Sequence, residues 1–187
     1  MPGTREVILS RLLAGNRRFV AGTPVPRRLA RERESLVAGQ RPDAAVLACS
    51  DSRVDVEAIF DAPLGAVFAV ETAGESVDFA VLGSLEYAVG HLGTSLLIVM
   101  GHDHCGAVNE AFGRDTPAGA LGAVVTQLRK NIIGASSLEQ AVVMNAKQAA
   151  KRLIELSEVL RGAVEHGKLA IVPAHYHLAD GSVELLT

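Results

Sequence analysis

From Ala44 onward the apolar residues fall into short continuous runs, Ala44–Ala48, Ala66–Val70, Ser95–Met100 and Leu169–Val172, separated by stretches with helical spacing. Runs of this length without polar alternation predict strands buried on both faces, and their interleaving with helices predicts a mainly parallel sheet between helical layers. The helices are expected at Val77–Leu92, Cys105–Phe112, Leu121–Ile132 and Leu138–His166, the last broken near Ser157. Near the C-terminus, Ala179-Asp180-Gly181-Ser182 has tight-turn chemistry, after which Val183–Leu186 can return as an edge strand.

The first forty residues follow another pattern. Thr4 to about Phe19 reads as a helix capped by Thr4, with Val7, Ile8, Leu12 and Phe19 expected to share one face, and Gly22-Thr23-Pro24-Val25-Pro26 ends it. A second, basic helix is expected from Leu29 to Ala38. Arg27, Arg28, Arg31 and Arg33 there suggest either an anion-binding arm or a solvated face, and Glu32 and Glu34 favour the second. With no repeats and no low-complexity linker, residues 1–187 read as one α/β domain, an N-terminal helical arm over 1–40 and an α/β core over 44–187.

Composition narrows the class without naming a chemistry. Of the 187 residues, 49% are hydrophobic and 21% charged, and the net charge of −3 gives no electrostatic case for nucleic acid. No apolar run is long enough to span a bilayer, and Met1-Pro2-Gly3-Thr4-Arg5-Glu6 lacks a signal-peptide core, so a cytoplasmic protein is the expectation. In a reducing compartment two sparse cysteines point to metal binding or catalysis ahead of a disulfide.

Both cysteines lie in chemically suggestive runs, Cys49-Ser50-Asp51-Ser52-Arg53 and His102-Asp103-His104-Cys105. Two thiolates and an imidazole are good zinc ligands, and three protein ligands leave a tetrahedral position for water, as in catalytic sites. Cys49, His102 and Cys105 are therefore the candidate ligands. Zinc brings the pKa of bound water from about 15.7 toward ~7, which makes hydroxide available at neutral pH. Asp51 and Arg53 follow Cys49 at alternate positions, so on extended chain they would point the same way and meet near the metal. An arginine gripping a carboxylate keeps it ionised and leaves oxygen free to accept from the hydroxide. The same residues also fit a buried structural cysteine and an ordinary ion pair, so residue chemistry alone leaves the zinc site open.

The runs Ala48–Val54, Gly83-Ser84-Leu85-Glu86-Tyr87-Ala88-Val89 and Gly101–Val108, in this order, resemble a β-class carbonic anhydrase, and the similarity extends from Leu13–Val20 to Asp180–Leu185. The resemblance implies one Zn2+ per subunit on Cys49, His102 and Cys105. It further implies reversible hydration of carbon dioxide to bicarbonate and a proton, the zinc-bound hydroxide being oriented by Asp51 and Arg53. Substrate contacts are implied for Gln40, Phe68, Tyr87 and the backbone N–H of Gly106, in a pocket formed between subunits of a homodimer or homotetramer. Hydrolysis of carbonyl sulfide or carbon disulfide, or an inactive zinc-binding relative, remain alternatives on the same scaffold.

Two positions depart from the family pattern. Glu71-Thr72-Ala73-Gly74-Glu75 stands where the family usually reads Arg-Asn-Ala-Gly-Asn, placing an anion where some members use arginine to hold a regulatory bicarbonate, which a carboxylate would repel. His104 stands where the family more often has a small or neutral residue, and reads either as a proton relay or as an exposed side chain with no role. The remaining histidines, His91, His166, His175 and His177, belong to no recognisable motif.

Overall fold

The computed structural model describes residues 4–27 and 29–186. Five strands form one sheet in the order β2-β1-β3-β4-β5: β1 (Ala44–Cys49), β2 (Val67–Thr72), β3 (Leu96–His102), β4 (Ala170–Tyr176) and β5 (Val183–Leu185). The first four are parallel, and β5 returns antiparallel on β4 as the edge strand. The helices are α1 (Arg5–Val20), α2 (Leu29–Ser35), α3 (Val56–Ile59), α4 (Phe79–Gly90), α5 (Gly106–Phe112), α6 (Gly119–Asn131), α7 (Leu138–Leu156) and α8 (Glu158–Glu165).

Every residue of β1 and β3 is buried, which is why their sequences show no alternation. Val46, Ile98 and Met100 pack with Ile8, Leu12, Ile59 and Phe60 on one side of the sheet, and Leu47, Leu97 and Val99 pack with Leu85, Leu153 and Leu160 on the other. A third cluster, Val108, Val125, Leu128 and Val142, closes over Cys49 and Cys105 at one end. The expected break in the long C-terminal helix falls at Ser157, whose hydroxyl accepts from the Leu160 N–H and starts α8.

The N-terminal face needs one correction. Val7 is 57% exposed, because the buried stripe of α1 runs through Ile8, Leu12, Gly15 and Asn16, and Val7 lies about 100° off it. Asn16 ties the stripe to both halves of the chain, donating to the carbonyls of Ile59 (3.1 Å) and Gly181 (2.8 Å). The basic helix is shorter than expected and buries none of its described residues. Arg27 leaves the cationic cluster altogether: with Arg18 it pairs with the buried Asp61, at 2.8 and 2.6 Å. Arg28, the other member of that run, lies outside the described residues.

The chain order places a site. From β1 the chain moves to β2 on one side, then crosses to β3 on the other, so the C-terminal ends of β1 and β3 border the point where the winding reverses. Loops leave that point in opposite directions and open a crevice, the usual location of a ligand site in a parallel sheet.

Candidate metal centre

Cys49 is the last residue of β1 and His102 the last of β3, so both ends of the crevice carry a donor. A turn of two residues then brings Cys105 back as the N-cap of α5, with His104 in the left-handed region at φ 52°. One donor atom from each of Cys49, His102 and Cys105 falls within 4.8 Å of the others, and all three residues are buried. The sulfurs stand 3.8 Å apart, which is the separation that two Zn–S bonds of about 2.3 Å at a tetrahedral angle require.

His102 is held in the tautomer a metal needs. Its Nδ1 donates to the Asp103 carbonyl at 2.9 Å, leaving the Nε2 lone pair facing the sulfurs. That nitrogen is fully buried and has no hydrogen-bond partner among the described residues. An orphaned imidazole nitrogen beside two sulfurs costs about 1–3 kcal/mol unless a cation meets it. Donor set, spacing and orphaned atom together fit zinc.

The sulfurs are electrostatically unequal. The hydrogen bond from Cys105 is the main reason that Cys49 ionises well below the usual thiol range, and the Gly74 N–H, 3.3 Å from Cys49 Sγ, adds to it. Cys105 is pushed up by that same bond and by burial. The pair thus behaves as two sulfurs sharing one proton. Burial alone would push His102 down, but the neighbouring Cys49 thiolate, with the charges of Glu75 and Asp51, turns the shift upward.

Asp51 and Arg53 do meet beside the donors, though not by strand alternation. The chain turns here, with the Val54 N–H donating to the Asp51 carbonyl at 2.8 Å, and this turn folds Arg53 back onto the carboxylate. Arg53 Nε and Nη2 donate to the two carboxylate oxygens at 2.8 and 2.6 Å, and the Arg53 backbone N–H donates at 3.0 Å. These bonds, the side-chain ones foremost, hold the Asp51 carboxyl well below the ordinary range. Asp51 Oδ2 lies 4.0 Å from His102 Nε2.

The residues expected to touch substrate divide into two groups. Gly106 opens α5 directly after Cys105, exposed and with nothing within 4 Å of where a side chain would grow. Phe68 and Tyr87 stack near each other, ring centroids 6.3 Å apart, but Phe68 is in register with Ala45 and lies four residues back along the sheet from the Cys49–Thr72 level. At about 3.3 Å per residue that is roughly 13 Å from the metal end. Gln40 is exposed in the loop preceding that same far end of β1. A single chain therefore does not bring Gln40, Phe68 or Tyr87 to its own cysteines.

Sequence reading missed the support behind Cys49. Ala73–Glu75 form a short 3₁₀ turn with Gly74 at φ 64° and Glu75 at φ 40°. The buried Asn145 donates to the Gly74 carbonyl (2.9 Å) and to Glu75 Oε1 (2.8 Å), and accepts from Asn131 at 2.8 Å. Glu75 is 1% exposed, its Oε2 has no hydrogen-bond partner among the described residues, and burial with the Cys49 charge pushes its carboxyl up to about 8. An asparagine amid Ala141, Val142, Ala146 and Ala149 on one helical face was the available signal. Glu71 is exposed on β2, and burial, then the charges of Glu57, Asp55 and Cys49, push its carboxyl up. His104 is exposed, and its carbonyl accepts from Arg53 at 3.3 Å.

Comparison with known proteins agrees with this geometry. The family model described as carbonic anhydrase matches residues 44–183. The carbonic anhydrase of Mycolicibacterium smegmatis is 39% identical, the match covering 99% of this chain and 95% of the relative, and carbonic anhydrase 2 of Mycobacterium tuberculosis has the same identity and coverage. Among solved structures, the Coccomyxa β-carbonic anhydrase in complex with acetazolamide superposes with a TM-score of 0.77 at 24% identity, over 95% of this chain and 86% of that one. The chain belongs to the carbonic anhydrase family and has the fold of its zinc-dependent β class.

Proposed function

We propose that the protein catalyses the reversible hydration of carbon dioxide to bicarbonate and a proton at Cys49, His102 and Cys105, with Asp51 and Arg53 as its orienting pair. The observation that carries this reading is the Asp51 carboxylate, gripped through both oxygens by Arg53 and standing 4.0 Å from His102 Nε2. When bound, zinc supplies a Lewis acid that makes water nucleophilic near neutral pH.

The chain's own residues do the rest. Asp51, kept ionised, accepts the hydrogen of the attacking water and so aims an oxygen lone pair at the carbon of CO2. Arg53 prevents Asp51 from rotating onto the donors itself. The Gly106 N–H, in the first turn of α5 where backbone donors have no intrahelical partner, is placed to meet an oxygen of bicarbonate. The acidic surroundings of Glu71 disfavour a second, regulatory bicarbonate there.

Gln40, Phe68 and Tyr87 complete the substrate pocket from a second copy of the chain. Support comes from their distance from the cysteines of their own chain and from exposed apolar surface, Phe79 at 93% and Tyr87 at 45%. A structurally similar pair of Sordaria macrospora enzymes is described as tetrameric. A homodimer is the minimum this reading requires, and a homotetramer is consistent with it. Residues 1–187 act as one domain. No helix among the described residues is long and apolar enough to cross a membrane, and the reading places the protein in the cytoplasm.

Stopped-flow CO2 hydration on protein of measured zinc content tests the proposal. One zinc per chain with rapid hydration, lost in Asp51→Ala, is expected. Protein with full zinc and no hydration above buffer overturns it.

A further inference from the structure

A second group of donors lies beside the first and is not used by the chemistry above. Asp103 follows His102 at the end of β3, and its N–H donates to the Tyr176 carbonyl on β4 at 3.2 Å. Alternate residues flanking that tyrosine, His175 and His177, turn to the same side, while the Tyr176 ring is buried with the core. His175 Nε2 lies 2.6 Å from Asp103 Oδ1, His177 Nδ1 lies 3.6 Å from Oδ2, and the two rings stand 4.6 Å apart. One donor atom from each of the three falls within 4.8 Å of the others.

A structural role explains part of this and not the rest. One Asp–His hydrogen bond is enough to pin the end of β4 to β3. It does not require a second imidazole whose nearest contact to the same carboxylate, at 3.6 Å, is too long for a hydrogen bond.

The surroundings fit a cation. The Leu178 N–H donates to Asp103 Oδ2 at 3.0 Å and fixes the carboxylate. On the far side of His177, Nε2 faces Glu184 Oε2 of β5 at 3.4 Å, the arrangement in which a carboxylate orients an imidazole toward a metal. A cavity of about 210 Å³, lined by Asp103, His104, Leu138, Glu139, Val142 and His175, opens beside the cluster. Asp103, Glu139 and Glu184 make the neighbourhood acidic, and Asp103 and His177 remain partly open to solvent.

We propose that Asp103, His175 and His177 form a second metal site, distinct from the thiolate centre, that binds a borderline divalent cation of the zinc, cobalt and nickel kind, with Glu184 orienting His177. Two imidazoles and one carboxylate, with positions left for water, suit such ions, whereas calcium and magnesium prefer oxygen donors alone. The site shares no ligand with the first centre, since His102 touches only the backbone carbonyl of Asp103. It therefore stands or falls independently of the proposed activity.

Equilibrium dialysis of the purified protein against Co2+, with zinc and cobalt both counted, tests it. Wild type is expected to take up one cobalt beyond the ion its thiolates hold, with weak d–d absorption and no accompanying thiolate-to-cobalt charge transfer. His177→Gln, at a partly exposed position that leaves the core intact, is expected to lose that equivalent and keep the first. Glu184→Gln should weaken it about ten-fold. No additional cobalt in wild type, full retention in the His177→Gln and His175→Gln/His177→Gln proteins, or charge-transfer intensity that grows with the added equivalent would each overturn the proposal.

Discussion

Asp51 and Arg53 are joined by parallel hydrogen bonds of 2.8 and 2.6 Å, and that carboxylate ends 4.0 Å from Nε2 of His102. The Arg53 side chain holds both carboxylate oxygens, and the Arg53 backbone N–H adds a third bond at 3.0 Å. Arg53→Ala is expected to retain zinc, to lower CO2 hydration about 10²-fold or more, and to add a carboxylate oxygen to the zinc X-ray absorption spectrum. Arg53→Lys should recover little, because an ammonium is a point charge and cannot hold both oxygens. Unchanged turnover in Arg53→Ala would remove the pair from the mechanism. Because Asp51 is held below the ordinary carboxylate range, wild type should show no loss of activity at pH ~4–5 from this group.

The two sulfurs share one proton in the absence of a cation, with Cys49 ionised first and Cys105 pushed up. Loading zinc into chelator-stripped protein at neutral pH should therefore release at least about one proton per chain, from Cys105. An indicator dye in weak buffer reads this directly. Cys105→Ser should abolish both the proton release and tight zinc binding, and removal of zinc should lower the thermal midpoint of wild type alone. Zinc uptake without proton release would mean that the thiols are not its ligands.

Much of this architecture was legible because both faces of β1 and β3 are buried, so their runs are continuous and their ends fall beside Cys49 and His102. Ser157 announced the break between α7 and α8 by being a cap. Where the sequence misled, the cause was local geometry. Asp51 and Arg53 look like alternate strand positions, but their meeting depends on a turn closed by Val54. That Phe68 lies at the far end of the sheet from the Cys49 of its own chain is a matter of its register with Ala45, which the apolar run alone does not report. The Asn145 bonds to Gly74 and Glu75 span 71 and 70 residues, and no pattern along the chain reports such pairs.

Gly74 combines two demands that only glycine meets. At φ 64° its N–H reaches Cys49 Sγ, and a Cβ built there would stand 2.7 Å from Leu128 Cδ1 and 3.2 Å from Ala107 Cβ. Gly74→Ala adds left-handed strain to overpacking and is expected to cost about 2–4 kcal/mol of stability, read from urea denaturation. Zinc affinity should fall with it. A loss below about 0.5 kcal/mol would show that the turn relaxes freely.

Phe79 opens α4 with 93% of its surface exposed, beyond what a solitary chain gains anything from. Phe79→Asp is expected to shift sedimentation toward monomer and to lower activity per zinc, because the pocket would lose the Phe68 and Tyr87 of a second copy. Monomer with full activity would place the substrate pocket within one chain.

Glu75 makes stability depend on pH in a direction opposite to that of a salt-bridged carboxylate. Its folded pKa, raised to about 8 by burial first and the Cys49 charge second, lies above the unfolded value near 4.5. The unfolded chain therefore loses this proton while the folded chain still keeps it. Whatever Glu75 contributes is fully present below about pH 4.5, declines as pH rises toward 8, and is constant beyond. Glu75→Gln keeps the neutral shape and an oxygen to accept from Asn145, and it has no proton to lose. The stability advantage of Glu75→Gln over wild type should thus be small at pH ~5, grow by up to about 1.4 kcal/mol per unit, and level off above pH ~8. Burial, the larger cause, persists even where a cation offsets the Cys49 charge. Urea midpoints for both proteins at pH ~5, 7 and 9, in the same zinc concentration, measure it, and a gap that does not change with pH would show that Glu75 folds ionised.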